Sequence, residues 1–263
     1  MGVAAYNLNG HTLHSIFWLP VKGAFVPLPP AMLQSLQAVF RHTKYLIIDE
    51  KSMINLRTWG YVDARLWEIF PDHALECFAG ISVFLCGDFF QLPPITGHAL
   101  YCKPPNVNNL QLVAGQQAYM ALDRTLRLTC VMQQQGEDEL AILFCNTLLQ
   151  LWDSTLTVAS WQLLLMRVAC NLPQSEIALF ETALWVYFTN SEVDQYNHDW
   201  LKACNQPIKK LKAQHTGPDA DKADSDDADG LSAEFSFCLG ARVMLMENLW
   251  TENGLVNGSM GCI

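Results

Sequence analysis

The chain has 263 residues, a hydrophobic share of 51% and a formal net charge of −10, which is length enough for one large core or two smaller ones. It has no run near the ~20 uninterrupted apolar residues of a membrane span, and Met1 to Tyr6 lack the basic and apolar blocks of a secretory signal. The acidic balance argues against a freestanding nucleic-acid binder, and the 9 scattered Cys, without CxxC or zinc spacing, are expected to be reduced intracellular thiols.

Along the chain, Pro29-Pro30 can open a helix running to about Phe40. Tyr45 to Ile48, Ile81 to Cys86 and Ala183 to Phe188 are apolar runs of the kind that forms parallel strands buried on both faces. Each ends on polar residues: Asp49-Glu50, Gly87-Asp88 and Thr189-Asn190. Leu140, Leu143, Phe144, Thr147, Leu148, Leu151 and Trp152 follow helical spacing after the acidic residues Glu137 to Glu139. A capped helix is expected from Ser191 through Tyr196 and Trp200. Gly217 to Gly230 carries six Asp against Lys222 and reads as a low-complexity acidic loop. Alternating strands and helices imply an α/β layered fold, whose ligands sit at the carboxyl ends of the strands.

Two of those strand ends carry chemistry. An apolar strand closing on Asp49-Glu50 suits nucleotide hydrolysis, where one carboxylate helps hold a Mg²⁺ on the phosphates and the other orients or deprotonates the attacking water. Alone, the pattern is more often an ordinary acidic turn. In Gly87-Asp88-Phe89-Phe90-Gln91-Leu92-Pro93-Pro94 the Gly permits a tight strand exit and the prolines stiffen the path beyond. Gln91 can donate and accept without a charge of its own, as a γ-phosphate sensor would. The plainer alternative is a stiff turn with Phe89 and Phe90 in the core.

Tyr45 to Met53 (YLIIDEKSM) resembles the Walker B motif of Pif-type superfamily 1 helicases, and Gly87 to Pro94 (GDFFQLPP) resembles the motif that follows it. Gly2 to Phe17 (GVAAYNLNGHTLHSIF) is similar to the family's first DNA-contacting segment. Ala213 to Thr216, Gly240 to Met246 (GARVMLM) and Asn248 to Gly261 (NLWTENGLVNGSMG) resemble the second motor domain, so the series spans nearly the whole chain in the family's order. The resemblance implies two RecA-like P-loop NTPase portions with parallel sheets, both incomplete, at residues 1–126 and 127–263, with the acidic loop 217–230 in the second. It implies ATP and Mg²⁺ as cofactors, Asp49 on the metal, Glu50 activating water and Gln91 sensing the γ-phosphate. Thr12, His14, Ser15, Asn257 and Gly258 would lie along single-stranded DNA. For His14 a packed structural role stands beside that reading, and for Asn257-Gly258 an ordinary turn.

The resemblance further implies ATP-dependent translocation and duplex unwinding in telomere maintenance, repair and recombination, inside the nucleus or the mitochondrion. Three departures point the other way. No G-x-x-x-x-G-K-[ST] occurs in the 263 residues, Gln133 stands where the family has an Arg, and the chain ends before the family's final motif. Because phosphate positioning dominates phosphoryl transfer, these residues alone are expected to hydrolyse ATP at background. The alternative is a degenerate helicase remnant acting as a binding or interaction module. Lys51, where the family has an apolar residue, could reach solvent or compete for the carboxylates.

Overall fold

The structure, a computed structural model, describes all residues except 1, 22, 105–107, 133, 135, 137, 182, 218–219 and 223–231. Gln133, Glu137 and most of the acidic stretch 217–230 therefore lie outside the described residues. The chain divides into two compact units, Leu13–Thr182 and Met1–Thr12 with Ala183–Ile263. In chain order the elements are α1 (Gly2–Asn7), α2 (Leu13–Ile16), α3 (Pro30–Phe40), β1 (Tyr45–Ile48), α4 (Leu56–Ile69), β2 (Ser82–Leu85) and α5 (Leu110–Met120). They continue with α6 (Glu139–Trp152), α7 (Val158–Leu165), α8 (Gln174–Ile177), α9 (Asn190–Ala203), β3 (Lys209–Lys212), β4 (Glu234–Phe237), β5 (Arg242–Met244) and β6 (Met260–Cys262).

In the larger unit, β1 and β2 pair in parallel, Tyr45 opposite Ser82 through Ile48 opposite Leu85. The connection between them is α4, as a parallel crossover requires. Asn55 starts α4 by accepting the Thr58 N–H at 2.8 Å, the side-chain cap that satisfies one of the helix's orphan donors. Leu56, Trp59, Val62 and Leu66 are fully buried and meet Leu36 and Phe40 of α3, whose Phe40 ring stacks on Phe17 at 5.2 Å. Two glycines let α5 press onto α4: a Cβ on Gly115 would lie 1.8 Å from the Leu56 carbonyl oxygen, and one on Gly60 would lie 3.0 Å from the Gln111 carbonyl oxygen.

Two charged residues are buried in this core. The Arg65 guanidinium donates to the carbonyls of Phe17 at 3.0 Å, Val26 at 3.2 Å and Trp18 at 3.4 Å, pairs with Glu68, and lies over the Phe25 ring. It thereby fastens the segment after α2 to α4, with its donors satisfied as burial demands. The Asp63 carboxylate accepts the Phe78 N–H at 2.6 Å. Phe78 and Ala79 both have positive φ, 53° and 49°, a conformation unfavourable for side chains with a Cβ, and this bond holds the first of them.

The smaller unit is built on two antiparallel ribbons, β3–β4 and β5–β6, against α9. Thr189 and Glu192 form a reciprocal capping box at the start of α9, so the helix begins slightly earlier than Ser191. The α/β class, α3, α6 and α9 match the sequence expectation, as does the parallel pairing of β1 with β2. The burial expected on both faces of these strands does not, since Tyr45, Ile47 and Phe84 leave one face exposed. The third parallel strand expected at Ala183 to Phe188 is a correction. That stretch forms no strand, and Leu184, Val186 and Phe188 are 70%, 92% and 103% exposed. Its apolar run joins no strand ladder among the described residues, and a buried strand exists only by pairing.

Candidate functional site

The site assembles where β1 and β2 end side by side. The Cys86 N–H donates to the Ile48 carbonyl at 2.7 Å and the Lys51 N–H returns to the Cys86 carbonyl at 2.9 Å, tying the two chain segments together beyond the strand ends. Between these bonds the chain turns sharply at Glu50, whose φ of 58° and ψ of 47° are left-handed. Asp49 supports the turn by accepting the Glu50 N–H on Oδ1 at 2.9 Å. Both carboxylates are thus displayed at the carboxyl edge of the pair, exposed.

Gly87 is required on the facing strand. Its φ is +124°, and a Cβ there would stand 2.8 Å from the Lys51 backbone nitrogen and 3.3 Å from the Glu50 Cα. The absence of a side chain lets the two strand exits touch. Asp88 then caps the next turn, accepting the Phe90 N–H on Oδ1 at 3.0 Å while its carbonyl accepts the Gln91 N–H at 3.2 Å. Gln91 is exposed at the end of this turn. Asp49, Glu50 and the Gln91 turn are thereby brought to one edge of the same two-stranded sheet.

Lys51 takes neither of the courses left open by the sequence. Its Nζ lies 4.6 Å from the centre of the Phe89 ring, a cation–π contact that joins the turn after β1 to the turn after β2. Phe89 packs edge-on against Tyr101 at 5.1 Å and Tyr119 at 6.1 Å. Phe90 faces the Trp152 ring at 4.5 Å, and the Trp152 Nε1–H donates to Asp88 Oδ2 at 2.8 Å. Arg127 lies over the same indole at 5.3 Å. Trp152 and Arg127 escaped sequence reasoning: the bond to Asp88 crosses 64 positions, and only a pair correlation among relatives would have signalled it.

The remaining candidates lie elsewhere. His14 and Ser15 sit in α2 of the larger unit, and Thr12 ends the first segment of the smaller one. His14 has its pKa lowered by desolvation, so its neutral form is favoured. Asn257 and Gly258 make the connection between β5 and β6: the Asn257 N–H donates to Asn248 Oδ1 at 2.8 Å, and its Nδ2 donates to the Met246 carbonyl at 2.5 Å. Gly258, at φ 94°, donates to the Leu245 carbonyl at 2.8 Å. The Asn257 amide is therefore committed to closing this hairpin.

Among the described residues no three His, Cys, Asp or Glu side chains converge as for an all-protein metal cage. A Mg²⁺ held by one or two carboxylates plus phosphates needs no such cage, and the exposed oxygens of Asp49 and Glu50 fit that donor set. No described helix is long and apolar enough to cross a membrane.

The chain is similar over its whole length to mouse ATP-dependent DNA helicase PIF1, at 26% identity, and to the human protein of that name at 25%. Against ATP-dependent DNA helicase RRM3 of Saccharomyces cerevisiae it is 27% identical over 99% of its length. It covers 38% of each of the first two proteins and 34% of the third, so it spans little more than a third of these curated relatives. Among solved structures it matches the Pif1 helicase of Candida albicans with a TM-score of 0.70 at 23% identity, covering all of this chain and 56% of that one. It matches single-stranded-DNA-bound Bacteroides Pif1 with a TM-score of 0.60 at 21% identity, covering all of this chain and 57% of that one. These likenesses give it the RecA-like α/β fold that the motifs implied. A family model described as PIF1-like helicase matches residues 1–160, a stretch that holds both strand ends, the carboxylate pair and the Gln91 turn, and on that match the chain belongs to the PIF1-like helicase family.

Proposed function

We propose that the chain is part of an ATP-dependent DNA helicase motor, with its nucleotide edge at the ends of β1 and β2. The observation that carries this reading is the joining of Asp49-Glu50 to the Gln91 turn through the side-chain-free contact at Gly87. Asp49 would help hold a Mg²⁺, which supplies charge neutralisation on the β- and γ-phosphates. Glu50 would orient or deprotonate the attacking water. Gln91 would read the γ-phosphate by hydrogen bonding, and its turn would pass that state to Trp152 through Asp88 and Phe90. Single-stranded DNA would run past Thr12, His14, Ser15, Asn257 and Gly258, beside small and polar side chains that leave room for bases. The motor portions would divide near residue 126, and the setting would be the nucleus or mitochondrion, in telomere maintenance, repair and recombination.

The 263 residues hold no G-x-x-x-x-G-K-[ST], so by themselves they should turn over ATP at background, with or without oligonucleotide. Joined to the phosphate-loop segment of a PIF1 relative, they should gain DNA-stimulated hydrolysis that Glu50→Gln removes, a change of about 10²-fold or more for a catalytic base. A steady-state ATPase assay checks both arms. Turnover by the 263 residues alone that Glu50→Gln abolishes would overturn the background expectation; loop-restored turnover indifferent to Glu50→Gln would overturn the site.

A second reading, a binding or interaction module, has one observation in its favour. Tyr45, Ile47 and Phe84 are 64%, 73% and 51% exposed on one face of the β1–β2 pair, an apolar surface suited to a covering partner.

A further inference from the structure

In the smaller unit, the end of α9 and the end of β4 bring two cysteines together. Cys204 is the C-cap of α9, its N–H bonded to the Trp200 carbonyl at 3.1 Å. Cys238 directly follows β4, is 1% exposed, and accepts the Ala241 N–H on its carbonyl at 3.2 Å. Both backbones are fixed by these bonds. The side chains share the small core of Leu201, Cys238 and Ala241, on which Trp200 and Cys204 pack, and burial first, then the neighbouring Cys238 thiol, push the Cys204 pKa up. Cys204 is part-exposed and Cys238 is buried, so one sulfur can meet a reagent from solvent and the other can resolve the product.

We propose that Cys204 and Cys238 form a dithiol site that is oxidised to an intramolecular disulfide by small disulfides of the glutathione class. The Cys204 thiol, whose proton burial and Cys238 hold more tightly, loses it to solvent as pH rises, and the thiolate attacks one sulfur of the small disulfide. The S–S bond of that disulfide breaks, one small thiolate leaves, and a mixed disulfide remains on Cys204. Cys238, losing its own proton, attacks the Cys204 sulfur and expels the second small thiolate. Two protein thiols are oxidised by two electrons, the small disulfide is reduced to two thiols, and both protons end on those thiols. A disulfide needs the sulfurs at ~2.05 Å, and here both side chains already pack in one cluster with the backbone held at both ends.

The bond would join α9 to β4 and close a loop that contains β3 and the Asp-rich stretch 217–230. It would tie the base of that low-complexity stretch, and it would reinforce a unit whose buried cluster is small, where a covalent link matters most. The reduced thiols expected from composition are then one of two states of this pair. The inference does not rest on the helicase reading.

The test exposes the reduced full chain to a series of oxidised-to-reduced glutathione ratios, followed by alkylation and peptide mass mapping. The expected product is a linked peptide joining Cys204 and Cys238, lighter by two hydrogens. It should outnumber every other cysteine pairing by about tenfold or more, because preplaced thiols have a high effective concentration. Cys204→Ser should abolish it while the far-ultraviolet circular dichroism is unchanged. If Cys238→Ser fails to fold, the wild-type map still decides. A stable glutathione adduct on Cys204 without the link, or scrambled pairing among the other seven cysteines, would overturn the proposal.

Discussion

Asp63 shows how one side chain can hold a strained backbone and also confer a pH dependence. Its carboxyl has a pKa raised by burial, an effect opposed by the hydrogen bond from the Phe78 N–H. A raised value means that the folded state binds the proton more tightly than the unfolded one. The resulting stability is fully present below the ordinary carboxylate pKa and is lost as pH rises through the raised value. Asp63→Asn keeps an oxygen for the Phe78 N–H and removes the titration. Urea unfolding between about pH 4 and about pH 7 should therefore give a flatter stability profile for the variant. An unchanged slope would show that Asp63 is not its source. The neighbouring Cys77 thiol is pushed up to about 11, first by burial and then by the Asp63 charge, so it stays neutral over that window. The left-handed Phe78 and Ala79 carried no sequence signal, since neither is a residue that favours that conformation.

At the scale of elements, the contact between α6 and the Gln91 turn is the one to perturb. Trp152→Phe keeps a ring against Phe90 but leaves Asp88 Oδ2 without the indole donor, and Asp88→Ala removes the acceptor and the Phe90 cap together. Each should destabilise, by about 1 kcal/mol for the indole bond, and the double variant should cost less than the two singles combined. Strict additivity in a double-mutant cycle would mean that the pair is not coupled. The same scale shows what was legible. β1 and β2 were readable because four consecutive apolar residues precede each polar exit, and α6 because its i, i+3, i+4 stripe follows an acidic start. The run Ala183 to Phe188 has the same apolar look, yet composition cannot tell a buried strand from an extended segment without a partner. α4 was missed because Gly60, Asp63 and Arg65 lie on its buried side, where a stripe count expects apolar residues. Of the site, the carboxylates and Gln91 were legible as motifs. The role of Lys51 was not, because the ring it lies over is 38 positions along the chain.

For the whole molecule, the two units differ in how much they bury. The larger has a continuous cluster running from Phe17 through α3, α4 and α5 to Ala118, while the smaller gathers around Leu201, Cys238 and Ala241. Local opening follows buried apolar contact. Amide hydrogen exchange should accordingly show the slowest amides in β1, β2 and α4, and faster exchange across β3 to β6. Equal protection in both units, all lost in one cooperative step, would contradict this division.

The indole bond between Trp152 and Asp88 also bears on the order of synthesis. The turn that presents Gln91 leaves the ribosome some 64 residues before the tryptophan that secures it. During translation the nascent chain can align β1 with β2 across the α4 crossover, but the Gln91 turn stays provisional until the last residue of α6 emerges. A pause between those two points would hold a half-finished edge open to the cell's chaperones, with Phe90 uncovered.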